Sequence, residues 1–271
     1  MSLGRLSTGL HVQGTPREDL ESLVAREIGA AVSPGPVSLV MLAHNEVDVI
    51  ERVVRDYHRE VVARLPGSEF IVVEDGSRDG TWETLEPLRD ELGLRLVHRD
   101  ERQGYTRALR SALSLARRDL VFFSDSDGQH EPRDFWRLAK RIPYADLVIG
   151  FKHPRRDPAY RLVMSRVFNA LIGRAFKLRL RDANCGFRLM RRPLVEDLLR
   201  DEWLLRECIF TELTIRAFYK GYRVDEVPIR HRARPAGESR GLPMRRIPRA
   251  VLHVLGQLIT MKRQIRSGHF A

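Results

Sequence analysis

The sequence predicts an α/β fold, with an open, mostly parallel, doubly wound sheet of the Rossmann-like kind and helices on both faces. Short apolar runs alternate with amphipathic segments of roughly 10–15 residues, and parallel strands need crossover helices of this kind. Polar or acidic residues directly follow several of these runs, which is where ligands bind in such sheets. Hydrophobic residues make up 43% of the 271-residue chain, enough for the core of one large domain.

Four strands with their crossover helices are predicted in the first half of the chain. The strands are Val37–Ala43, Phe70–Val73, Leu94–Val97 and Leu120–Phe123. Helices are expected around residues 49–57, 82–92 and 108–115, where apolar residues recur at helical spacing. The acidic side chains of three strand ends should therefore meet along one edge of the sheet. These ends read His44-Asn45-Glu46, Glu74-Asp75-Gly76-Ser77 and Asp125-Ser126-Asp127.

The second half of the chain continues the alternation, with further strands predicted at residues 146–150 and 223–229. A helix is predicted from Tyr160 to Phe176. Its apolar residues Leu162, Val163, Val167, Leu171 and Ile172 lie on one side. Residues 182–188 read as a loop that leads into a short strand, and residues 207–219 as a helix that Gly221 ends.

Both ends of the chain are predicted to lie outside a central domain that spans residues 37–240. Residues 1–36 form an extension with one helix, which starts at a capping box made by Thr15 and Glu18 around Pro16. Residues 241–271 contain a basic amphipathic helix at about 243–266. Its longest uncharged run is too short to span a bilayer, so this helix either lies on a membrane surface or packs on the protein or a partner.

The net charge of +11 is concentrated near the C-terminus. Ten Lys or Arg residues stand against a single acid, Glu238, between residues 230 and 271. A basic tail with apolar neighbours suits an anionic membrane surface or a phosphorylated acceptor at least as well as nucleic acid. The acidic strand ends argue against nucleic acid as a partner. No G-x-G-x-x-G follows the first strand, which argues against a dinucleotide-binding oxidoreductase.

The cysteines and the N-terminus indicate the compartment. Cys185 and Cys208 form no C-x-x-C pair, so neither a disulfide scaffold nor a zinc site is expected. The N-terminal residues lack an uninterrupted apolar core and do not read as a signal peptide. We therefore expect a cytoplasmic protein, with the C-terminal helix as the element that would hold it at the inner face of the membrane. The sequence does not indicate an oligomeric state.

Asp125 and Asp127 stand one residue apart, directly after the apolar run Leu120–Phe123. Mg²⁺ and Mn²⁺ prefer oxygen ligands, and two such aspartates would let either cation grip the diphosphate of a nucleotide. Taken alone the motif is weak, because Asp-x-Asp also occurs by chance in solvated turns. The acidic ends of the other strands favour the metal site.

The segment that contains this pair and three further segments follow the order and spacing of a known family. Val72–Thr81 reads V-V-E-D-G-S-R-D-G-T, Ser124–Pro132 reads S-D-S-D-G-Q-H-E-P, and Arg181–Arg188 reads R-D-A-N-C-G-F-R. Together with residues 226–239 they resemble the inverting family-2 glycosyltransferases of the GT-A fold, and most of all the dolichyl-phosphate mannose and polyprenyl-phosphate glucose synthases. The likeness covers about residues 37–240. It departs from the family pattern at Glu74, where aspartate is usual, and at Arg240, where lysine is common.

The resemblance implies a GDP- or UDP-linked sugar donor bound at the strand ends. The implied donor-binding residues are Ala43, Asn45, Glu46, Glu74, Asp75, Gly104, Asp125, Ser126 and Asp127. Asp127 would bind Mg²⁺ or Mn²⁺ directly, so that charge on the leaving nucleotide is neutralised. Asp125 would contact the ribose or reach the metal through water, and Gln129 would be a further metal ligand. Glu46 would equally serve as charge at a helix N-terminus, and His130 would lie near the sugar or simply be a hydrogen-bonded loop histidine.

The resemblance implies further catalytic residues in addition to Asp127, and which residues these are depends on the acceptor. For a hydroxyl acceptor, Asp182 or Glu212 would act as the general base of an inverting attack. A phosphate acceptor needs no strong base, since its second proton leaves near pH ~6, and arginines would hold it instead. These are Arg188, Arg232, Arg234 and Arg240, whose alternative role is a solvated basic tail. The preferred function is transfer of a hexose to a polyprenyl (dolichyl-type) phosphate, and the alternative is transfer to a soluble hydroxyl acceptor.

Overall fold

The computed structural model describes residues 33–154, 159–232 and 247–267 of the chain. Within these ranges seven strands form one sheet, accompanied by eight α-helices. The strands are β1 (Val37–Ala43), β2 (Glu69–Glu74), β3 (Arg95–Val97), β4 (Leu120–Asp125), β5 (Leu147–Lys152), β6 (Arg188–Arg191) and β7 (Val224–Ile229). The helices are α1 (Ile50–Glu60), α2 (Thr81–Leu92), α3 (Tyr105–Ser114), α4 (Phe135–Ala139), α5 (Ala159–Phe176), α6 (Arg192–Arg200), α7 (Ile209–Tyr219) and α8 (Ile247–Arg266).

The sheet has the strand order β3-β2-β1-β4-β6-β5-β7. Neighbours pair in parallel except at β6, which runs antiparallel to both β4 and β5. This confirms the predicted open, mostly parallel α/β sheet. Because β6 alone among the described strands is reversed, the other strands all end at one side of the sheet, which we call the carboxyl edge. The amino end of β6, at Arg188, lies at this same edge beside Phe123 and Ile149.

The central strands are buried along nearly their whole length. Every residue of β1 is buried, and so are Phe70 to Glu74 of β2 and Leu120 to Ser124 of β4. Helices cover such strands on both faces, so their sequences are apolar at successive positions instead of alternating. The predicted apolar face of the first helix is confirmed, because Ile50, Val54 and Tyr57 of α1 are at most 1% exposed.

A second group of buried apolar residues, the satellite core, lies apart from this sheet core. It joins Ile172 and Phe176 of α5 to Ile215 of α7 and to the C-terminal helix. The contributing residues of α8 are Val254, Leu258 and Met261. One face of the predicted amphipathic C-terminal helix therefore packs on the protein.

Several predicted boundaries shift, and two helices were not foreseen. β4 runs on through Ser124 to Asp125, two residues beyond its apolar run. The sequence analysis missed α4 and α6, which are only five and nine residues long. The predicted apolar side of α5 is only partly buried: Ile172 is 2% exposed, whereas Val163 is 58% exposed. Among the helices of the described ranges, none has the length and hydropathy needed to cross a bilayer.

The predicted domain boundaries stay predictions. The proposed N-terminal helix lies within residues 1–32, which are outside the described ranges, and the boundary at residue 240 falls within 233–246, also outside them.

Candidate functional site

Asp125, the last residue of β4, lies at the carboxyl edge, where it pairs in register with Leu42 of β1. The Tyr105 hydroxyl, at the start of α3, donates a hydrogen bond to Asp125 Oδ1 at 2.8 Å. Gly186, in the loop before β6, packs against the other side of the carboxylate. A Cβ atom at residue 186 would stand 2.9 Å from Asp125 Cγ and would overlap Oδ2. The carboxylate is thus held from two sides.

Burial and the neighbouring charge of Asp127 raise the pKa of Asp125 to about 6. The Tyr105 hydrogen bond and the cations Lys152 and Arg188 act in the opposite direction and limit this rise. Above this pH, two like charges stand one residue apart at a half-buried strand end, which is unfavourable unless a cation neutralises them. The electrostatics of the site therefore favour cation binding.

The donor set around Asp127 fits a hard divalent cation. Asp127 Oδ1 accepts a hydrogen bond from the Gln129 backbone N–H at 3.0 Å, which fixes the turn after β4. The described residues contain no group of three or more His, Cys, Asp or Glu side chains arranged for a metal ion. Two carboxylates with a glutamine oxygen leave coordination positions for water and for a ligand's phosphates, which is how Mg²⁺ is commonly held. Asp125, Asp127 and Gln129 thus follow one another at the end of β4, and their role as metal ligands stays a prediction.

The loops after β1 and β2 interlock into one rim of the carboxyl edge. The Asn45 backbone N–H donates to Ser77 Oγ, and Asn45 Oδ1 accepts from the Arg78 backbone N–H, both at 2.8 Å. The Glu46 backbone N–H donates to Thr81 Oγ1 at 2.8 Å. Asn45 has a positive φ of 53°, a conformation that asparagine tolerates better than most residues. The predicted donor-binding residues Asn45 and Glu46 are therefore held on a rigid rim.

Asp75 joins this rim to the start of α3. Its two carboxylate oxygens accept hydrogen bonds from the backbone N–H groups of Gln103 and Gly104, at 2.8 and 2.9 Å. Gly76 next to it has a φ of 67°, and a Cβ there would meet the Arg102 backbone nitrogen at 2.5 Å. This network brings Asp75 and Gly104 together. Their predicted contacts with the sugar donor stay predictions.

Two of the predicted donor contacts need correction. Glu74 is fully buried, and its carboxylate accepts from the Ser77 backbone N–H at 2.5 Å and bonds to His98 Nδ1 at 2.7 Å. Ala43 is also fully buried, and its carbonyl accepts the Asp75 backbone N–H at 2.9 Å. The Glu74 carboxylate and the Ala43 carbonyl hold the strand ends together, and neither side chain is exposed to a ligand.

Ser126 and His130, in the segment after β4, are both buried. Burial lowers the pKa of His130 far below its ordinary value, with Lys152 and His231 adding to the effect. The ring stands edge to face with Phe187, at a centroid distance of 5.2 Å. His130 Nδ1 also lies 3.5 Å from Ser124 Oγ, so the buried ring fits the hydrogen-bonded alternative that the sequence left open.

Glu212, predicted as a possible general base, is a structural residue. It is fully buried, and its carboxylate accepts the backbone N–H groups of Leu204 and Leu205. It also forms an ion pair with Arg216 at 2.7 Å within α7. These bonds engage the carboxylate away from solvent, so the prediction of a catalytic role is wrong.

Arg188, predicted to hold the acceptor phosphate, is also buried completely. Its guanidinium donates to the carbonyls of Cys185 and Ala183 and lies 4.3 Å from the centre of the Phe210 ring. Burial lowers its pKa to about 10, so it stays charged at neutral pH. Arg188 fixes the loop that carries Gly186, and the predicted phosphate contact is wrong because no phosphate can reach this side chain.

Of the other residues predicted on the acceptor side, Arg232 and Asp182 lie within the described ranges. Arg232 is exposed and forms an ion pair with Glu131, and its backbone N–H donates to the Gln129 carbonyl at 2.8 Å. It therefore lies beside the turn that carries Asp127 and Gln129. Asp182 is 7% exposed in the loop that leads to Gly186. Arg234 and Arg240 lie outside the described residues.

The sequence patterns did not predict two residues of the site. Tyr105 and Lys152 both act on Asp125, one through a hydrogen bond and one through its charge. The signal for Tyr105 is its place directly after Gly104 at the start of a helix at the carboxyl edge. Lys152 ends the fifth strand and so occupies the same edge, but neither contact can be read from spacing because the partners are distant in sequence.

Comparisons with known proteins identify related chains. A family model described as glycosyl transferase family 2 matches residues 38–199. The chain is 27% identical to dodecaprenyl-phosphate galacturonate synthase of Rhizobium johnstonii, over 86% of this chain and 70% of that protein. It is 34% identical to glycosyltransferase AglD of Haloferax volcanii, over 75% of this chain and 34% of that protein. It is 29% identical to undecaprenyl-phosphate 4-deoxy-4-formamido-L-arabinose transferase of Pseudomonas paraeruginosa, over 83% of this chain and 64% of that protein. The chain thus spans only part of the length of these relatives.

Solved structures of similar fold include glucosyl-3-phosphoglycerate synthase of Mycobacterium tuberculosis. Its complex with Mn²⁺, UDP and glucosyl-3-phosphoglycerate has a TM-score of 0.65 and 22% identity, covering 94% of this chain and 87% of that one. Its complex with Mg²⁺ and UDP has a TM-score of 0.64 and 22% identity, covering 86% and 82%. At this identity the likeness establishes the fold.

Gly186→Ala should weaken cation-assisted nucleotide binding, because the added methyl group would displace the Asp125 carboxylate. We expect the affinity for UDP or GDP in the presence of Mn²⁺ to fall at least ~10-fold, which corresponds to about 1.4 kcal/mol. Isothermal titration calorimetry measures this directly. Gly256→Ala on α8 is the control, since a Cβ there meets open space. Unchanged affinity in Gly186→Ala would contradict the packing described for Asp125.

Glu212→Ala should destabilise the protein by about 3–5 kcal/mol, because it removes one partner of a buried ion pair and leaves two buried N–H groups without their acceptor. Urea unfolding measures the change. Glu196→Ala is the matched control, since Glu196 pairs with Arg192 at the surface, and its loss should cost about 1 kcal/mol or less. A Glu212→Ala protein of normal stability that has lost only turnover would restore the general-base role.

Proposed function

Because the chain belongs to glycosyl transferase family 2, we propose that it transfers a hexose, with inversion, from a GDP- or UDP-linked donor to a polyprenyl phosphate. The names of two relatives, a dodecaprenyl-phosphate galacturonate synthase and an undecaprenyl-phosphate sugar transferase, support this acceptor class. The names do not fix the sugar, and the donor base stays open between guanine and uracil.

The carboxylate pair at the end of β4 is the observation that carries the proposal. Asp125 and Asp127 stand at the carboxyl edge, where parallel α/β sheets bind ligands. The pKa of Asp125 is raised by burial and by the charge of Asp127, so the pair favours a cation at neutral pH. A nucleotide-sugar offers the complementary charge through its diphosphate.

Mg²⁺ or Mn²⁺ would be held by Asp125, Asp127 and Gln129. When bound, such an ion supplies positive charge against the diphosphate and so eases departure of the nucleotide. Two groups of the protein orient the carboxylates that would hold the ion. Tyr105 orients Asp125 through its hydroxyl proton, and the Gln129 backbone N–H orients Asp127.

The rim formed by Asn45 and Glu46 would position the nucleoside, since both residues are fixed by bonds to the loop after β2. Asp75, bonded to the Gly104 backbone N–H directly before α3, lies next to this rim. Positioning of this kind holds the anomeric carbon in line with the attacking oxygen, which lowers the entropic cost of reaction.

The attacking group determines whether the chain must accept a proton. A phosphate monoester is already ionised near neutral pH, so its oxygen attacks without a general base. A phosphate acceptor is therefore consistent with the position of Glu212, whose carboxylate is held in a buried ion pair and is not free to act as a base. Lys152 at the end of β5 and Arg232 after β7 are the cations at the edge that would attract the acceptor phosphate. Transfer to a hydroxyl would instead place Asp182 as the base.

The proposed acceptor is a lipid, so the protein would work at the inner face of the membrane. α8 would provide peripheral contact with the bilayer, because it exposes apolar residues and carries Lys262, Arg263 and Arg266 in its last turns. Basic residues next to an apolar face attract such a helix to anionic lipids.

The proposed reaction is tested by following nucleotide release from a panel of GDP- and UDP-sugars with Mn²⁺ or Mg²⁺. We expect one donor to release nucleotide rapidly when a polyprenyl phosphate is present and at least ~100-fold more slowly without it or in excess chelator. Asp127→Asn, which keeps the shape of the side chain, should reduce release to a similar extent. Release that requires a soluble saccharide instead of the lipid would replace the proposed acceptor, and full activity in chelator would refute the metal.

A further inference from the structure

His98, the residue directly after β3, bonds to the buried end of the neighbouring strand. Its Nδ1 atom lies 2.7 Å from Oε2 of Glu74, the last residue of β2. An ionised carboxylate only accepts hydrogen bonds, so the imidazole donates through Nδ1–H. The last residues that the two strands pair in register are Val73 and Val97. The His98–Glu74 bond therefore joins the strands one residue beyond their ladder, at the carboxyl edge.

An aromatic contact also holds the His98 ring. The ring of Trp82, in the first turn of α2, packs against it at a centroid distance of 4.2 Å. Asp100 Oδ1 lies 3.7 Å from His98 Nε2, but the Asp100 side chain is fully exposed, so this pair contributes little. The buried Glu74 carboxylate is therefore the polar contact that fixes the orientation of the imidazole.

The other oxygen of the Glu74 carboxylate holds the loop after β2. Oε1 accepts the Ser77 backbone N–H at 2.5 Å, and the Ser77 hydroxyl oxygen accepts the Asn45 backbone N–H at 2.8 Å. A continuous series of hydrogen bonds thus runs from His98 to Asn45 on the rim. Because Glu74 is fully buried, it acts on the rim only through these bonds.

The loop between β3 and α3, residues 98–104, is bonded at both of its ends to consecutive residues of β2 and the loop after it. At one end His98 bonds to Glu74. At the other end the Gly104 backbone N–H donates to the Asp75 carboxylate at 2.9 Å. His98 therefore links the rim to the Asp75 network, and these are the two groups of residues that would position the nucleoside.

We infer that His98 is a positioning residue for the nucleotide donor, because it holds the Glu74 carboxylate and, through it, the shape of the rim. The inference deepens the proposed function, since it rests on a nucleotide-sugar as the donor. The length of the Glu74 side chain is part of it. Aspartate, which is usual here in the glycosyltransferases that the sequence resembles, is shorter by about 1.5 Å. An aspartate at this position would lengthen the bond to Ser77 or to His98 beyond hydrogen-bond distance.

The test measures the affinity of the full chain for UDP and for GDP in the presence of Mn²⁺ by isothermal titration calorimetry. His98→Ala removes the donor of the bond and should weaken binding of the preferred nucleotide at least ~5-fold. His98→Asn places an amide N–H near the position of Nδ1 and should bind within ~2-fold of the wild type. Rescue by this smaller residue is not expected if the ring only fills space.

Glu74→Asp tests the length of the carboxylate side chain. It should also weaken nucleotide binding at least ~5-fold, although aspartate is the residue usual in the family. In the double variant Glu74→Asp/His98→Ala the two losses should not add, because both substitutions remove the same bond. Full addition of the losses would contradict the inference that the two residues act as one unit.

Kinetics separate positioning of the donor from a role in the chemical step. With the donor that the wild type uses, His98→Ala should raise the donor KM at least ~5-fold and leave kcat within ~2-fold, because the rim binds the ground state and the transition state alike. His58→Ala is the matched control. His58 lies in the last turn of α1, which runs from the carboxyl edge towards the start of β2, so nucleotide affinity should change less than ~2-fold.

The outcomes distinguish this inference from the proposed function. A wild type that binds neither UDP nor GDP would overturn both. Nucleotide binding by the wild type with unchanged affinity in His98→Ala, or a fall in kcat at constant donor KM, would overturn the inference alone. Thermal unfolding of each variant shows whether it is folded. If His98→Ala is unfolded, Glu74→Asp decides, since wild-type affinity in that variant would also overturn the inference.

Discussion

Two carboxylates of like charge, Asp125 and Asp127, are held one residue apart at a half-buried strand end. Folding alone gains nothing from this arrangement, because burial and mutual repulsion both disfavour the ionised pair. The contacts around it nevertheless keep it in place, through a hydrogen bond from Tyr105 on one side and the close approach of Gly186 on the other. A site that keeps an unfavourable charge in a fixed geometry is suited to binding a cation and the anionic group that the cation brings.

The reversed strand β6 explains how distant segments converge on that pair. Because β6 starts at the edge where β4 and β5 end, the loop before it reaches Asp125 directly. Arg188, the first residue of β6, secures this loop from below through the carbonyls of Ala183 and Cys185. Its charge also limits the rise in the pKa of Asp125. One buried arginine thus acts on both the shape and the electrostatics of the site.

The sequence predicted the strands, the long helices and the acidic edge, because apolar runs and their polar ends are local patterns. It misassigned Glu212 and Arg188 for a single physical reason: spacing reveals a charge but not its burial or its partners. The partners of Glu212 include backbone groups of Leu204 and Leu205, which no side-chain pattern reports. The contact between Tyr105 and Asp125 joins the start of α3 to the end of β4 and forms only when the helix packs on the assembled sheet. Short helices such as α4 contain too few turns to show a period.

The pH dependence of donor binding tests the cation site most directly. A nucleotide-sugar is the ligand of choice, since each of its two phosphates has one ester and one anhydride bond and so has no second proton that titrates near neutrality. In the presence of Mn²⁺ its affinity should fall as the pH drops through about 6, where Asp125 gains a proton and loses the charge that holds the cation. Asp125→Asn should bind weakly at every pH and show no such step. A wild-type affinity that is constant between pH ~5 and ~8, or full affinity in Asp125→Asn, would contradict the account.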